Sequence, residues 1–376
     1  MSVSVVSGTL CGMDIMSLAA ATTFYNLTLG MLLGLAIYWF VRKPGWFRFF
    51  AGISCLTCVA LFVAIVLSLP YFNPLRAARL LCFGWFLHVT LFSVAAAWKA
   101  RETPLLRVTS LLLAASLLGI AAFAFRVEPF RLEVTRYQIE SAKVSQPIRI
   151  GVLADFQTDK FETYEKQSLQ RLIDEKPDLI LMAGDYLQAN HEEAWEVLRD
   201  EMNAFLKQNN FEAPLGIYGV GGNTDFRRWP EIFDGLDVTV FRDSRSESAD
   251  GFSITGLWDQ DSFNPCISIP RPIGDSTIDN ELHIVLGHAP DFSLSPNVDA
   301  DLLIAGHTHG GQVRLPGIGP LITFSRVPRA WAAGHTKLTE EKHLVVSRGV
   351  GMERRDAPRL RFLCRPQLVF IDVVPN

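Results

Sequence analysis

The chain has 376 residues, enough for two or three domains of ordinary size, and 35 Lys+Arg against 39 Asp+Glu leave it a formal net charge of −4. Nothing in it resembles a basic stripe, which excludes a nucleic-acid binder. Its 49% hydrophobic content is unevenly spread: residues 1–130 are overwhelmingly apolar, and the rest reads like a soluble enzyme.

Four stretches, 17–41, 49–69, 77–98 and 105–125, carry no charge beyond Arg79 and Arg107 near the starts of the last two and are long enough to cross a bilayer as helices, which takes about 20 apolar residues each. The connections carry Arg42, Lys43 and Arg48, then Arg76 and Arg79, then Lys99, Arg101 and Arg107. This bias puts the first and third connections in the cytoplasm and the catalytic part outside, in a multi-pass protein of the cell membrane. Arg126, Arg131 and Arg136 after the fourth stretch weaken that bias. His88 is expected to bond a neighbouring helix. Cys11, Cys55, Cys58 and Cys82 belong to the apolar third, while Cys266 and Cys364 form no metal-type pair. Residues 1–130 thus read as a membrane region, 131–146 as a linker and 147–376 as the catalytic domain.

From residue 147 short β-rich runs end in Gly or Asp. Segments 148–154, 178–183, 215–220, 282–286 and 301–305 read as buried strands, with helical patterns at 164–175 and 191–207. Strands alternating with amphipathic helices predict an α/β fold with a central sheet. Strand-like segments at 252–256, 312–315, 343–347 and 368–373 predict a second sheet packed on the first.

The polar residues at the strand ends carry the chemistry. Asp155-Phe156-Gln157, Gly184-Asp185, Gly222-Asn223-Thr224-Asp225, Gly287-His288 and Gly306-His307-Thr308-His309 follow five successive strands. Ligands collect beyond the carboxyl ends of strands in open α/β sheets. Carboxylate, amide oxygen and imidazole together suit Mn, Fe, Zn or Mg.

In this order the motifs resemble the calcineurin-like metallophosphoesterase family, whose pattern runs DxH, GDxx, GNHD or GNHE, GH and GHxH. The resemblance covers about 230 residues, and Gly310-Gly311-Gln312-Val313-Arg314-Leu315-Pro316 with Ser347-Arg348-Gly349-Val350-Gly351 is similar to a membrane-tethered subgroup. It implies a four-layer sandwich, two sheets flanked by helices, with two divalent metals between the sheets, Mn favoured over Fe, Zn or Mg. Asp155, Gln157, Asp185 and His309 would surround one metal. Asp185 would bridge to a second, held by Asn223, His288 and His307. Asp185, Asn223, Thr224 and Asp225 would be the catalytic residues.

Two positions depart from that pattern. Gln157 replaces the first-motif histidine and offers a harder, weaker donor. Thr224 replaces the histidine that assists the phosphate or leaving group, and losing a general acid costs about 10²–10⁴-fold. A good leaving group, such as the UMP half of a pyrophosphate, feels that loss least. Arg227, Arg228 and Arg348 are candidates for binding the substrate's anionic part, with Arg354 beside them. Asp159 and Lys160 are candidates for the site entrance, and Asp291 is a candidate for orienting His288. His191, His283, His335 and His343 match no motif and read as structural or surface residues. The expected activity is cleavage of a phosphodiester or pyrophosphate bond in a phosphorylated, acylated substrate drawn from membrane lipids, UDP-2,3-diacylglucosamine being the first choice. An external phosphoesterase for phosphate scavenging or envelope remodelling, and a non-catalytic metal or phosphate sensor, are the alternatives.

Overall fold

The computed structural model describes residues 17–71, 73–249, 251–271 and 281–376; Cys11 lies outside them. The chain divides into two units, one formed by the described part of Met1–Ala122 with Arg355–Pro358, the other by Phe123–Arg354 with Arg359–Asn376.

The first unit is helical. Helices α1 (Leu18–Arg42), α2 (Trp46–Ser68), α3 (Pro74–Lys99) and α4 (Pro104–Phe130, whose last turns fall in the second unit) are long and apolar enough to cross a membrane. Their starts follow local capping chemistry. The Ser17 hydroxyl accepts from the Ala20 amide, and Asn73 caps α3 with Pro74 in its first turn. Inside the bundle the rings of Phe40, Phe49 and Phe92 interlock at centroid distances of 5.9–6.5 Å. Outward faces carry Met31, Phe47 and Leu105, each at least 70% exposed, which suits an apolar surrounding. His88 bonds the Phe83 carbonyl at 3.1 Å within its own helix, where Gly84–Val89 widens into a π-turn, and not a neighbouring helix as expected. Asp356 also belongs to this unit and pairs with Arg76 at 3.3 Å.

The second unit is built on fourteen strands: β1 (Glu133–Glu140), β2 (Ile148–Leu153), β3 (Leu179–Met182), β4 (Ile217–Val220), β5 (Thr239–Phe241), β6 (Arg245–Ala249), β7 (Phe252–Gly256), β8 (Leu282–Leu286), β9 (Leu302–Ala305), β10 (Arg314–Leu315), β11 (Gly319–Pro320), β12 (Gly334–Lys337), β13 (His343–Val346) and β14 (Gln367–Val374). One six-stranded sheet runs β1-β14-β2-β3-β4-β5, the other β12-β13-β9-β8-β7-β6, and β10 pairs with β11 alone. Strands β2 to β5 are mutually parallel, as are β7, β8, β9 and β13, so their carboxyl ends align within each sheet.

The inner faces of the sheets share one core, with Ile150, Val152, Leu179 and Leu181 from the first meeting Ile254, Ile284, Ile304 and Val345 from the second. The outer face of the first sheet buries Leu169 and Leu172 of α5 (Thr163–Asp174) and Trp195, Leu198, Met202 and Leu206 of α6 (Glu192–Gln208). That of the second buries Phe292 and Ile269, from a short 3₁₀ turn and a loop, against Val285, Leu303 and Leu344. Among the described residues the flanking helices expected on both sides are therefore long only on the first.

Three expectations are corrected here. Segments 282–286 and 301–305 belong to the second sheet, whereas 368–373 enters the first, antiparallel to β2. The expected linker contains β1, which pairs in parallel with β14 over eight residues and so is integral to the fold. Its alternation of half-buried and exposed side chains is that of an edge strand. Ile254 is fully buried between the sheets. Ile254→Ala should therefore cost about 2–5 kcal/mol, read as a lowered unfolding midpoint of the detergent-purified chain, while the exposed Glu340→Gln leaves the midpoint unchanged.

Candidate metal centre

The carboxyl ends of β2, β3 and β4 deliver Asp155, Gln157, Asp185 and Asn223, and those of β8 and β9 deliver His288, His307 and His309. Five of the seven leave their strands with left-handed backbones: Asp155 (φ 44°), Gln157 (39°), Asp185 (56°), His307 (67°) and His309 (47°). Each such non-glycine turn costs of order 1–3 kcal/mol and persists only where the surroundings enforce it. Hydrogen bonds do so here. The Asp155 amide donates to Gly184 O at 3.0 Å and that of Gln157 to Asp185 O at 2.8 Å, while the His307 amide donates to both Asp155 carboxylate oxygens at 2.9 Å. The Thr224 amide donates to Asp185 Oδ1, also at 2.9 Å. A Cβ at Gly222 would lie 2.2 Å from that same oxygen, so only glycine lets the β4 turn close on Asp185.

Two donor groups result, with Asp185 in both. Ligand atoms of Asp155, Asp185 and His309 all lie within 4.8 Å of one another. In the other group His288 Nδ1 faces the Ala183 carbonyl at 2.8 Å, which can only accept, so that nitrogen carries the proton and Nε2 of the neutral ring has a bare lone pair. Around that lone pair stand Asn223 Oδ1 at 2.9 Å, His307 Nδ1 at 3.3 Å and Asp185 Oδ2 at 3.6 Å. His307 Nε2 is turned to the Phe324 carbonyl at 3.3 Å, which leaves its Nδ1 bare too. Four acceptors facing one another without a proton among them repel unless a cation stands between.

The electrostatics agree. Burial, then the adjacent Asp185 charge, raises Asp155 well above the usual carboxylate range. Burial brings His288 down to about 4, and burial followed by His288 does the same for His307. Burial also takes His309 well below its ordinary value. Imidazoles this far from protonation are lone-pair donors, and their 3.6 and 3.9 Å approaches to Asp185 and Asp155 are not ion pairs. Gln157 Oε1, His309 Nδ1 and Thr224 Oγ1 are buried and have no hydrogen-bond partner among the described residues. The residues present fit two divalent cations.

Other expected residues are placed differently. Asp225 accepts the backbone amides of Asp185 and Tyr186 at 2.8 Å and of Gly222 at 2.9 Å, so it ties two ligand-bearing turns together and does not face the donor groups. Arg228 is committed to Glu192, Glu196 and Glu231 at 2.7–3.0 Å and is not available to a diphosphate. Arg227 is exposed, and Arg348 pairs with Glu133 at 3.2 Å. Arg354 donates to the Gln157 carbonyl at 2.5 Å and pairs with Asp159. Asp291 accepts from Ser325 and from the Arg326 amide, so Ala183 and not Asp291 orients His288. His283 bonds Thr255 and the Asp299 carbonyl, and His335 bonds His343 at 2.8 Å, which are structural roles. Cys266 is exposed and Cys364 buried, and both are free thiols.

Three participants lie outside the strand-end motifs. Arg361, fully buried, donates to the carbonyls of Arg348, Gly349 and Gly351 and so fixes the loop packed on Asp155. Glu353 receives the Gln157 side-chain amide at 3.2 Å. Asp259, on the turn after β7, is raised to about 7 by burial and then by Asp185. No local sequence signal marks them, since each meets the site only through folding.

Gly222→Ala should displace Asp185 and abolish divalent-metal binding, measured by Mn²⁺ titration, with a smaller effect on the unfolding midpoint. Arg228→Gln should leave KM for any phosphodiester unchanged; a rise of tenfold would return Arg228 to the substrate site.

Residues 148–311 match the model of the calcineurin-like phosphoesterase family. The chain is 29% identical to the metallophosphoesterase YkuE of Bacillus subtilis over 273 residues, 66% of this chain and 88% of that protein. It is 26% identical to the phosphodiesterase YaeI of Escherichia coli, over 66% of this chain and 90% of that protein. A metallophosphoesterase of Campylobacter jejuni, Cj0846, matches at 25% identity over 64% of this chain and 63% of its own length. These likenesses coincide with the strand ends that hold the donor groups, and with that geometry they support the calcineurin-like phosphoesterase family for this domain and make the chain a metal-dependent phosphoester hydrolase.

Proposed function

We propose that the chain hydrolyses a phosphodiester or pyrophosphate bond in a lipid-linked substrate, with UDP-2,3-diacylglucosamine the first candidate. The observation that carries the hydrolase reading is the convergence of unprotonated acceptors on Asp185 from two sheets. Asp155, Asp185 and His309 on one side and Asn223, His288 and His307 on the other would hold divalent cations, which would supply positive charge for the phosphoryl oxygens and lower the pKa of a bound water. The oxygen-rich first group (Asp155, Gln157, Asp185, one imidazole) favours Mn or Mg over Zn.

The chain's own residues narrow the substrate. Thr224, at the position of the family's assisting histidine, has a buried hydroxyl without a hydrogen-bond partner among the described residues. It can donate a hydrogen bond to a phosphoryl or leaving oxygen but cannot protonate a poor leaving group. A nucleoside monophosphate leaves without that help, which favours a pyrophosphate.

The lipid part rests on two features. Four helices have the length and composition of membrane spans. Within the second unit, a cavity of ≈ 330 Å³ combines the rings of Phe125, Phe130 and Phe156 with the basic side chains of Arg126, Lys160 and Arg359. Apolar walls beside cationic groups suit an anionic amphiphile. Phe156 stands between the ligands Asp155 and Gln157, and Phe125 and Phe130 are at the end of the fourth candidate span. A second reading, an external phosphoesterase acting on envelope lipids or scavenging phosphate, is favoured by the basic residues at the facing ends of α1 and α2 (Arg42, Lys43, Arg48) and of α3 and α4 (Lys99, Arg101, Arg107).

Full-length protein in detergent with Mn²⁺ should turn over UDP-2,3-diacylglucosamine in preference to a simple chromogenic phosphodiester, with KM lowered by the acyl chains and activity absent in Asp185→Asn. Equal turnover of acylated and unacylated substrates would sink the lipid reading. Inert wild type with Mn²⁺ bound would favour the non-catalytic sensor. An impermeant maleimide that labels Cys266 in intact cells would place the domain outside and favour the second reading.

A further inference from the structure

Gln157 is an odd first-motif ligand, because an amide presents a donor or an acceptor depending on which way it is turned. A histidine at that place offers a nitrogen lone pair in either ring orientation once its tautomer adjusts. A glutamine turned the wrong way would aim two N–H bonds at a cation. Something must therefore choose the rotamer's last half-turn.

Glu353 is placed to do so. Its Oε2 receives Gln157 Nε2 at 3.2 Å. A carboxylate only accepts, so it selects the NH₂ edge of that amide. The carbonyl oxygen is then left over, and Gln157 Oε1 is buried with no hydrogen-bond partner among the described residues. Glu353 is itself held from two sides: its own amide donates to Gln312 Oε1 at 3.1 Å, and its Oε1 receives the Arg354 amide at 3.3 Å. The neighbouring Arg354 guanidinium does not compete for the carboxylate, because it is engaged by Asp159 and the Gln157 carbonyl. The compact donor group comprises Asp155, Asp185 and His309 and does not include Glu353.

We infer that Glu353 is a positioning residue that locks the Gln157 amide with its carbonyl oxygen toward the first metal, so that glutamine works where the family pattern has histidine. This rests on the metal-dependent hydrolase assignment and is independent of which substrate is cleaved. Partners that orient a ligand typically contribute 10–100-fold to metal affinity.

The test is Mn²⁺ binding to the full-length protein in detergent, without substrate, read by titration and by the electron paramagnetic resonance of free Mn²⁺. Four proteins form a cycle: wild type, Glu353→Ala, Gln157→His and the double variant. Glu353→Ala should weaken the affected site by about 10–100-fold. In the Gln157→His background the same change should cost about twofold or less, because a histidine has no amide to orient. Glu353→Gln keeps a carbonyl acceptor and should retain most of the affinity, which separates orientation from charge. The inference is overturned if Glu353→Ala binds like wild type, if it loses equally in both backgrounds, or if Glu353→Gln falls as far as Glu353→Ala. Wild type that binds no Mn²⁺ would overturn the metal centre along with it, whereas a failed substrate panel with this cycle intact would strike only the proposed substrate.

Discussion

Two carboxylates, Asp155 and Asp185, are buried with ligand atoms within 4.8 Å of each other, and burial together with the Asp185 charge raises Asp155 well above the usual carboxylate range. Much of the second unit serves to keep them in that unfavourable position. Asp155 is gripped by the His307 amide from the opposite sheet and backed by Gly349, whose own loop is fixed by the buried Arg361. Asp185 is met by the Thr224 amide, while Asp225 binds the turns on both sides of it. The left-handed ligand turns add strain to the electrostatic cost, and the large shared core between the sheets offsets both.

The donor set that results is asymmetric. One group has two carboxylates to a single imidazole; the other joins two imidazoles and an amide to the shared carboxylate. The same asymmetry runs through the protonation chemistry. Thr224 leaves no imidazole to meet the departing group, and the arginines that looked free in sequence are spent on the scaffold: Arg228 on three glutamates, Arg354 on Asp159 and a backbone carbonyl.

The apolar unit belongs to the same reasoning. Its outward side chains are apolar, and each helix has the length and composition of a membrane span. The four create a packed bundle with its own aromatic core around Phe40, Phe49 and Phe92, and with small residues such as Gly52 and Gly84 at the close approaches.

The grouping of polar donors at the strand ends was legible in the sequence because each follows its strand within a few residues, and β-rich runs ending in Gly, Asp or His are local patterns. The four long apolar helices were legible for the same reason, since length and composition suffice. Tertiary structure alone decided which sheet each strand joins. Strands β8 and β9 read like continuations of the first sheet, yet they pair with β7 and β13, and β14 crosses back beside β2 and brings β1 with it. It also decided which polar residues are free to act. Asp225 and Arg228 looked like site residues and are structural ties, while Glu353 and Arg361 carried no motif and stand against the ligands. A strand ending is written in neighbouring residues, but a side chain's partners are set by packing between distant segments, as between Arg348 and Glu133 or Arg76 and Asp356.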